Sequence, residues 1–367
     1  MEFLNLATEP SPNYGGGGKS KNTSFLDLVQ GIRIDNRMER RKLYIVAKIL
    51  VGVGIVFYLL ETLNIAKVKA AIAESDLKYL AAGMGVVLLI RILRAWQMML
   101  AVQHHHVELS TLRGLAINTI SGFYSLFLPG DLSAGAIKWH KLAKLSGKRI
   151  EVLSAIFFIR LINTTFILGF GIIGVLIDSP FDSAALFYIT VSLIIALTLV
   201  HIFIFIDKPE VRMEFLLKYG AHWIPSFILD KLCKVWISFT QYKTLSRSEL
   251  LKLLSVPLLN QMLTILLFVT VGCAVQIWIP LFVLVWLVSM VYIIQLIPAS
   301  ICGLGFRESA LVFLLPHYGV EPSSAMAFSL ILFGFTLLMA VIGGILEAKE
   351  AVFAPLNQVN RSHEPPG

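Results

Sequence analysis

Residues 281–311 read LFVLVWLVSMVYIIQLIPASICGLGFRESAL. An uncharged apolar run, 281–297, meets Pro298, passes through a small-residue patch, and reaches a single charged step at Arg307 and Glu308. A run this apolar belongs in lipid, yet proline removes a backbone donor and clashes with the preceding turn, so a helix reaching Pro298 breaks nearby. Within a bilayer, broken backbone persists only where protein or a wet cavity satisfies it. The stretch therefore predicts a re-entrant hairpin or discontinuous helix, with Gly303 and Gly305 supplying close approach and positive φ at its turn. A second stretch has the same grammar: 114–128 runs into Pro129 and Gly130 and is followed by a shorter amphipathic segment.

The rest of the chain supports a membrane setting. Its 367 residues are 57% hydrophobic, 15% charged and have a mean hydropathy of +0.78, against about 45–50% apolar for soluble domains. Too little polar surface remains to coat a globule, so the bilayer must be the solvent. Because a bilayer core of about 30 Å needs roughly 20 apolar helical residues, six full spans are expected, at 43–60, 77–102, 150–177, 184–206, 253–275 and 323–346. The predicted fold class is all-α: a polytopic integral membrane protein with six spans plus two broken hairpins. The expected organisation is a cytoplasmic, largely disordered tail over 1–42, one transmembrane domain over 43–347 and a C-terminal tail over 348–367.

The net charge of +8 would suggest nucleic acid in a soluble protein. Here Lys138, Lys141, Lys144, Lys148, Arg149 and the basic residues of 207–252 sit between apolar segments, which reads as positive-inside topology and attraction to anionic headgroups. The connection holding Asp178 and Asp182 carries no basic residue. The N-terminus, the loop after the first hairpin and 207–252 are thus expected in the cytoplasm of a multi-pass plasma or inner membrane protein. Cys233, Cys273 and Cys302 show no metal or disulfide spacing. His104, His105 and His106 lack further ligands and read as a solvated loop; no metal and no cofactor is expected.

Pro129 and Pro298 are 169 residues apart, and so are Gly174 and Gly343. Three spans separate the two hairpins, an odd number, which turns them in opposite directions. The implied arrangement is an inverted repeat, with repeat 1 at about 77–177, a linker at 178–252 and repeat 2 at about 253–346. In transporters of this architecture, paired broken helices mark the substrate site near the midplane.

The candidate site residues are ionisable or amide groups at apolar depth. Arg160 lies roughly 15 Å into its span, where a charge costs on the order of 2.5–3.5 kcal/mol and should face a partner or a wet cavity. Arg91 and Arg94, three apart, share a helix face and carry guanidinium forks suited to phosphate, although snorkelling is the alternative. Arg307 and Glu308 are adjacent, so different partners are expected for each. Asn118, Asn163, Asn260 and Gln261 suit interhelical hydrogen bonds, with cavity lining second. Arg160, Arg307 and Glu308 are expected to converge on one cavity, because a shared wet site offsets separate desolvation penalties.

The motif Pro298, Ser300, Gly303, Gly305, Arg307, Glu308 and Ala310 resembles that of the transmembrane (flippase) region of lysylphosphatidylglycerol synthases. Arg91-Ile92-Leu93-Arg94-Ala95-Trp96 and Asn118 through Leu128-Pro129-Gly130 resemble earlier landmarks of that family, and the resemblance spans 43–347. One departure is Ser133-Ala134-Gly135-Ala136 followed by Lys138, where the family often has an acidic residue and then Arg. No soluble aminoacyl-transfer domain follows in this sequence. The resemblance implies lipid translocation without a synthase step, acting on an anionic or polyprenyl phospholipid, beside a separate lipid-modifying enzyme or as a homo-oligomer. The alternative is a membrane-embedded subunit of a lipid-modifying or lipid-linked glycosyl transfer system, with Glu308 as acid/base.

Overall fold

The computed structural model describes residues 65–126, 131–177, 226–295 and 305–361, with scattered positions between 188 and 199. Among them the chain is helical and has no strand. The helices are α1 (Ile65–Ala73), α2 (Leu77–Gln103), α3 (Thr111–Ser125), α4 (Asp131–Ser146), α5 (Arg149–Ile177), α6 (Ser226–Thr240), α7 (Arg247–Ala274), α8 (Leu281–Gln295), α9 (Phe306–Leu314) and α10 (Pro322–Arg361). Short 3-10 turns, Gln241–Thr244 and Leu315–Tyr318, precede α7 and α10.

Local chemistry explains where these helices begin and end. Asp76 caps α2 by accepting from the Lys78 N–H at 2.8 Å, and Ser110 caps α3 through the Arg113 N–H at 3.3 Å. Ser246 and Glu249 cap α7 reciprocally, satisfying donors that a helix start leaves orphaned. The α3 helix ends at Ser125, with Leu126 as its C-cap, before Pro129, and α9 starts at Phe306 after Gly305; the described part of α8 runs to Gln295 and that of α4 from Asp131. Pro129, Gly130, Pro298 and Gly303 themselves lie outside the described residues.

Four helices, α2, α5, α7 and α10, are long and apolar enough to cross a bilayer. They match four of the six expected spans; 43–60 and most of 184–206 fall outside the described residues. Helices α3 and α8 have 15 residues each, about 22 Å of rise and too short to cross. α10 runs past the expected end of the transmembrane domain at 347 into the expected C-terminal tail. It continues to Arg361 rather than giving way to a tail at 348, because Glu347, Lys349 and Glu350 end the apolar stretch but are good helix formers.

Packing links the elements through two glycine crossings. α8 lies on α5 where Gly174 meets Trp286, and α3 lies on α10 where Gly343 meets Thr119; a Cβ at either glycine would overlap the facing backbone. α2 and α7 run antiparallel, with the Asp76 N–H donating to the Ala274 carbonyl at 3.0 Å and Gly83 seated against Thr270. The core is apolar around Trp286, Phe328, Leu287 and Leu311. The outer faces carry exposed Leu88, Leu89, Ile92, Leu258, Leu259, Met262, Leu338 and Val341, a surface that is stable only against lipid.

Candidate functional site

The Arg307–Glu308 step sits at the start of α9, directly after Gly305, whose φ of +88° places it in the region that favours glycine. Both charged side chains are withdrawn from solvent, Arg307 to 7% exposure and Glu308 to 0%. Glu308 Oε2 accepts the Gly305 N–H at 2.7 Å, which holds the carboxylate at the positive end of the helix. Its Oε1 accepts from Arg307 Nη2 at 2.5 Å and from Ser329 Oγ at 3.3 Å. Arg307 Nε donates to Ser329 at 3.2 Å and its guanidinium lies 5.6 Å from the Phe333 ring centroid.

This geometry corrects the expectation that the two adjacent residues need separate partners. The arginine stem folds back far enough to reach a neighbour whose carboxylate the helix start already holds. The result is a closed, neutral knot tying α9 to α10. Ser329 was not foreseen, because a serine in an apolar span normally bonds its own preceding turn and leaves no sequence signal.

Arg91 and Arg94 occupy a different environment. The Arg91 guanidinium lies against α3, 3.4 Å from where a Gly122 Cβ would stand. One turn from Gly122, Asn118 is 9% exposed, and its buried Nδ2 donor has no acceptor. Arg94 is flanked on the helical wheel by Ile90, Gln97, Met98 and Ala101, all buried, so it projects from the packed side of α2. It is nonetheless exposed. Among the described residues neither Arg91 nor Arg94 has a hydrogen bond or carboxylate partner, and like charges one turn apart repel.

Helices α2 and α5 are tied by reciprocal amide bonds, Gln97 Nε2 to Asn163 Oδ1 at 3.1 Å and Asn163 Nδ2 to Gln97 Oε1 at 3.2 Å. Lys148 Nζ donates to the His105 and His106 carbonyls, at 2.9 and 3.1 Å, so the pair is antiparallel. Arg94 lies one turn to one side of the Gln97–Asn163 tie and Arg160 one turn to the other, about 9 Å of rise apart. Arg160 is half-buried and nearer the end carrying Lys148.

The Arg307 knot lies further away. Its α10 partner Ser329 precedes Gly343, the crossing with α3, by 14 residues, about 21 Å of rise. The Arg307–Glu308 pair, closed on Ser329 near one end of α10, therefore stands at a different level from the Arg91–Arg94 pair beside α3, which has no carboxylate partner among the described residues.

Three further contacts escaped the sequence reading. Glu347 on α10 accepts from Tyr124 of α3 at 2.9 Å and pairs with Lys141 of α4, which also reaches Glu350 at 2.7 Å, so both arms of the first hairpin are fastened to α10. His105, expected in a solvated loop, is 5% exposed and packs edge-on to Tyr242 at 5.0 Å. Burial, reinforced by His104, holds its imidazole below the usual range. The Tyr242 hydroxyl donates to the Ala101 carbonyl at 2.8 Å and its ring stacks on Phe158 at 3.9 Å.

A family model described as the lysylphosphatidylglycerol synthase TM region matches residues 45–344. No curated protein and no solved structure matches the chain.

Proposed function

Because the chain belongs to the lysylphosphatidylglycerol synthase transmembrane-region family, a group of membrane proteins tied to lipid modification or transport, we propose that it translocates a phosphate-bearing lipid. The observation that carries this reading is the Arg91–Arg94 pair, two guanidiniums on the packed side of a spanning helix that have no carboxylate partner among the described residues, Arg94 being exposed there; in this proposal they line a crevice. Unpaired charge at that depth is costly, and a phosphate oxyanion offsets the cost bidentately. Asn118 Nδ2 supplies a further donor beside it. In this proposal Arg160, nearer the cytoplasmic end, meets the headgroup first and passes it to Arg94 and Arg91.

The transport reading is favoured over an enzymatic one by the state of Glu308, whose two oxygens are both engaged by Arg307, Gly305 and Ser329, leaving it poorly placed as an acid or base. An inverted repeat is part of the proposal. A long helix, a 15-residue helix, a further helix too short to cross a bilayer and a long helix recur in that order in α2–α5 and α7–α10, and each repeat's last span crosses the other's hairpin at a glycine, Gly174 on Trp286 and Gly343 on Thr119. Lys and Arg concentration supports a cytoplasmic side for 138–149 and 207–252.

The test is translocation of a fluorescent anionic phospholipid by the full-length protein in vesicles, read by quenching of the outer leaflet. Arg94→Gln and Arg91→Gln are expected to lower the rate at least tenfold while the melting temperature holds. An unchanged rate in both variants would refute the assignment.

A further inference from the structure

The buried amides divide into two classes. Gln97 and Asn163 satisfy each other, and Gln261 donates to Ser289 Oγ of α8 at 3.4 Å. Asn118 and Asn260 keep one unpartnered buried atom each, and the two atoms are complementary: a donor, Nδ2, on Asn118 and an acceptor, Oδ1, on Asn260. Asn260 is 7% exposed, and a buried polar atom without a partner costs free energy that protein interiors normally avoid.

Position makes the complementarity meaningful. The antiparallel register of α2 and α7, read from Asp76 on Ala274 and Gly83 on Thr270, continues inward to bring Asn260 to the level of Arg94. Gln261 turns toward α8, and Asn260, rotated by about 100° from it, lies about 80° from Thr270, between the α8-facing side of α7 and the side that Thr270 presents to α2. On α2, Ala95 and Arg91 face α3, since the Ala95 carbonyl lies 3.3 Å from a Gly114 Cβ position and Arg91 meets Gly122. Arg94 stands between that face and the one toward α7. On this reading the crevice proposed at Arg94 has an orphan donor on α3 to one side and an orphan acceptor on α7 to the other.

We propose that Asn260 is a specificity-determining residue, whose carbonyl accepts a hydrogen bond from a hydroxyl or ammonium group on the lipid headgroup while Arg91, Arg94 and Asn118 hold the phosphate. The inference rests on the phosphate reading of the same crevice and deepens it. It names the ligand class as phosphodiester lipids whose headgroup carries an O–H or N–H donor, with donor-free headgroups discriminated against.

Short-chain phosphatidylglycerol, phosphatidylethanolamine and phosphatidylcholine serve as hydroxyl, ammonium and donor-free probes, titrated against the full-length protein and followed by native mass spectrometry. The wild-type protein is expected to bind the first two about tenfold more tightly than the third, the size of one buried hydrogen bond. Asn260→Ala should erase that difference by weakening the donor-bearing probes alone. Asn260→Asp, which keeps an acceptor at the position, should retain tighter binding of the donor-bearing probes, most of all the ammonium one, and controls for misfolding. Equal weakening of all three probes by Asn260→Ala would make Asn260 structural and overturn the proposal, as would no change for any probe, the outcome expected if Asn260 merely bonds Arg94. Loss of all binding in Arg94→Gln with an intact Asn260 effect in the parent supports both readings; binding untouched by Arg94→Gln refutes the phosphate reading separately.

Discussion

Glu308→Ala should be among the most destabilising single substitutions in this protein. It removes the acceptor of three donors at once: Arg307 Nη2, the Gly305 N–H and Ser329 Oγ. Arg307, 7% exposed, would keep its charge inside the α9–α10 interface with only Ser329 and the Phe333 ring as company. Breaking a buried pair from one side costs about 3–5 kcal/mol, and at roughly 2–4 °C per kcal/mol the melting temperature should fall on the order of 10 °C. Arg307→Ala alone leaves a buried carboxylate and should cost a similar amount. The double variant Arg307→Met/Glu308→Leu removes both charges and should recover much of the loss, because the penalty arises from the unpaired partner and not from the absence of the pair. The assay is thermal unfolding of the purified protein in one detergent, all four proteins side by side. Additive losses in the double variant would show that the two side chains act independently and would refute the closed-knot description.

Three other outcomes follow from geometry. Gly343→Ala and Gly174→Ala force a Cβ into the backbones of Thr119 and Trp286 and should cost about 1–3 kcal/mol each by overpacking. Gly85→Ala, with nothing within 4 Å of its Cβ position, should be neutral or slightly stabilising because alanine is the better helix former, and the same melts compare all three. Tyr124→Phe should cost about 0.5–1.5 kcal/mol in the parent and nothing in Glu347→Ala, since both remove one bond; additivity in the double variant would sink the link. His105, held neutral by burial, binds fewer protons folded than unfolded, so its contribution is fully present above pH 6.5 and fades as pH falls below it. Hydrogen exchange across residues 101–106, corrected for intrinsic rates, should therefore accelerate between pH 7.5 and 5.5, and a flat profile would contradict the buried assignment.

The sequence by itself determined the solvent, the secondary structure and the places where it breaks. Apolar runs of bilayer length required helices in lipid, and four of these, α2, α5, α7 and α10, stand as read. Helix α3 stops short of Pro129, because a missing N–H and a steric clash are local effects that any fold must obey. The motif at Arg307 and Glu308 could also be located. Their partnership could not, since whether adjacent charges meet depends on where Gly305 turns the chain and on Ser329, 22 residues away. The same limit separates the arginines. Residue type and depth marked Arg91, Arg94, Arg160 and Arg307 alike, but only packing paired Arg307 with Glu308 and left Arg94 exposed on the packed side of its helix. Likewise four amides looked interchangeable in one dimension, and only helix register left Asn118 a spare donor and Asn260 a spare acceptor. Periodicity and length act within a segment, whereas pairing, neutralisation and access are set by which faces of distant helices meet, and that is decided in three dimensions.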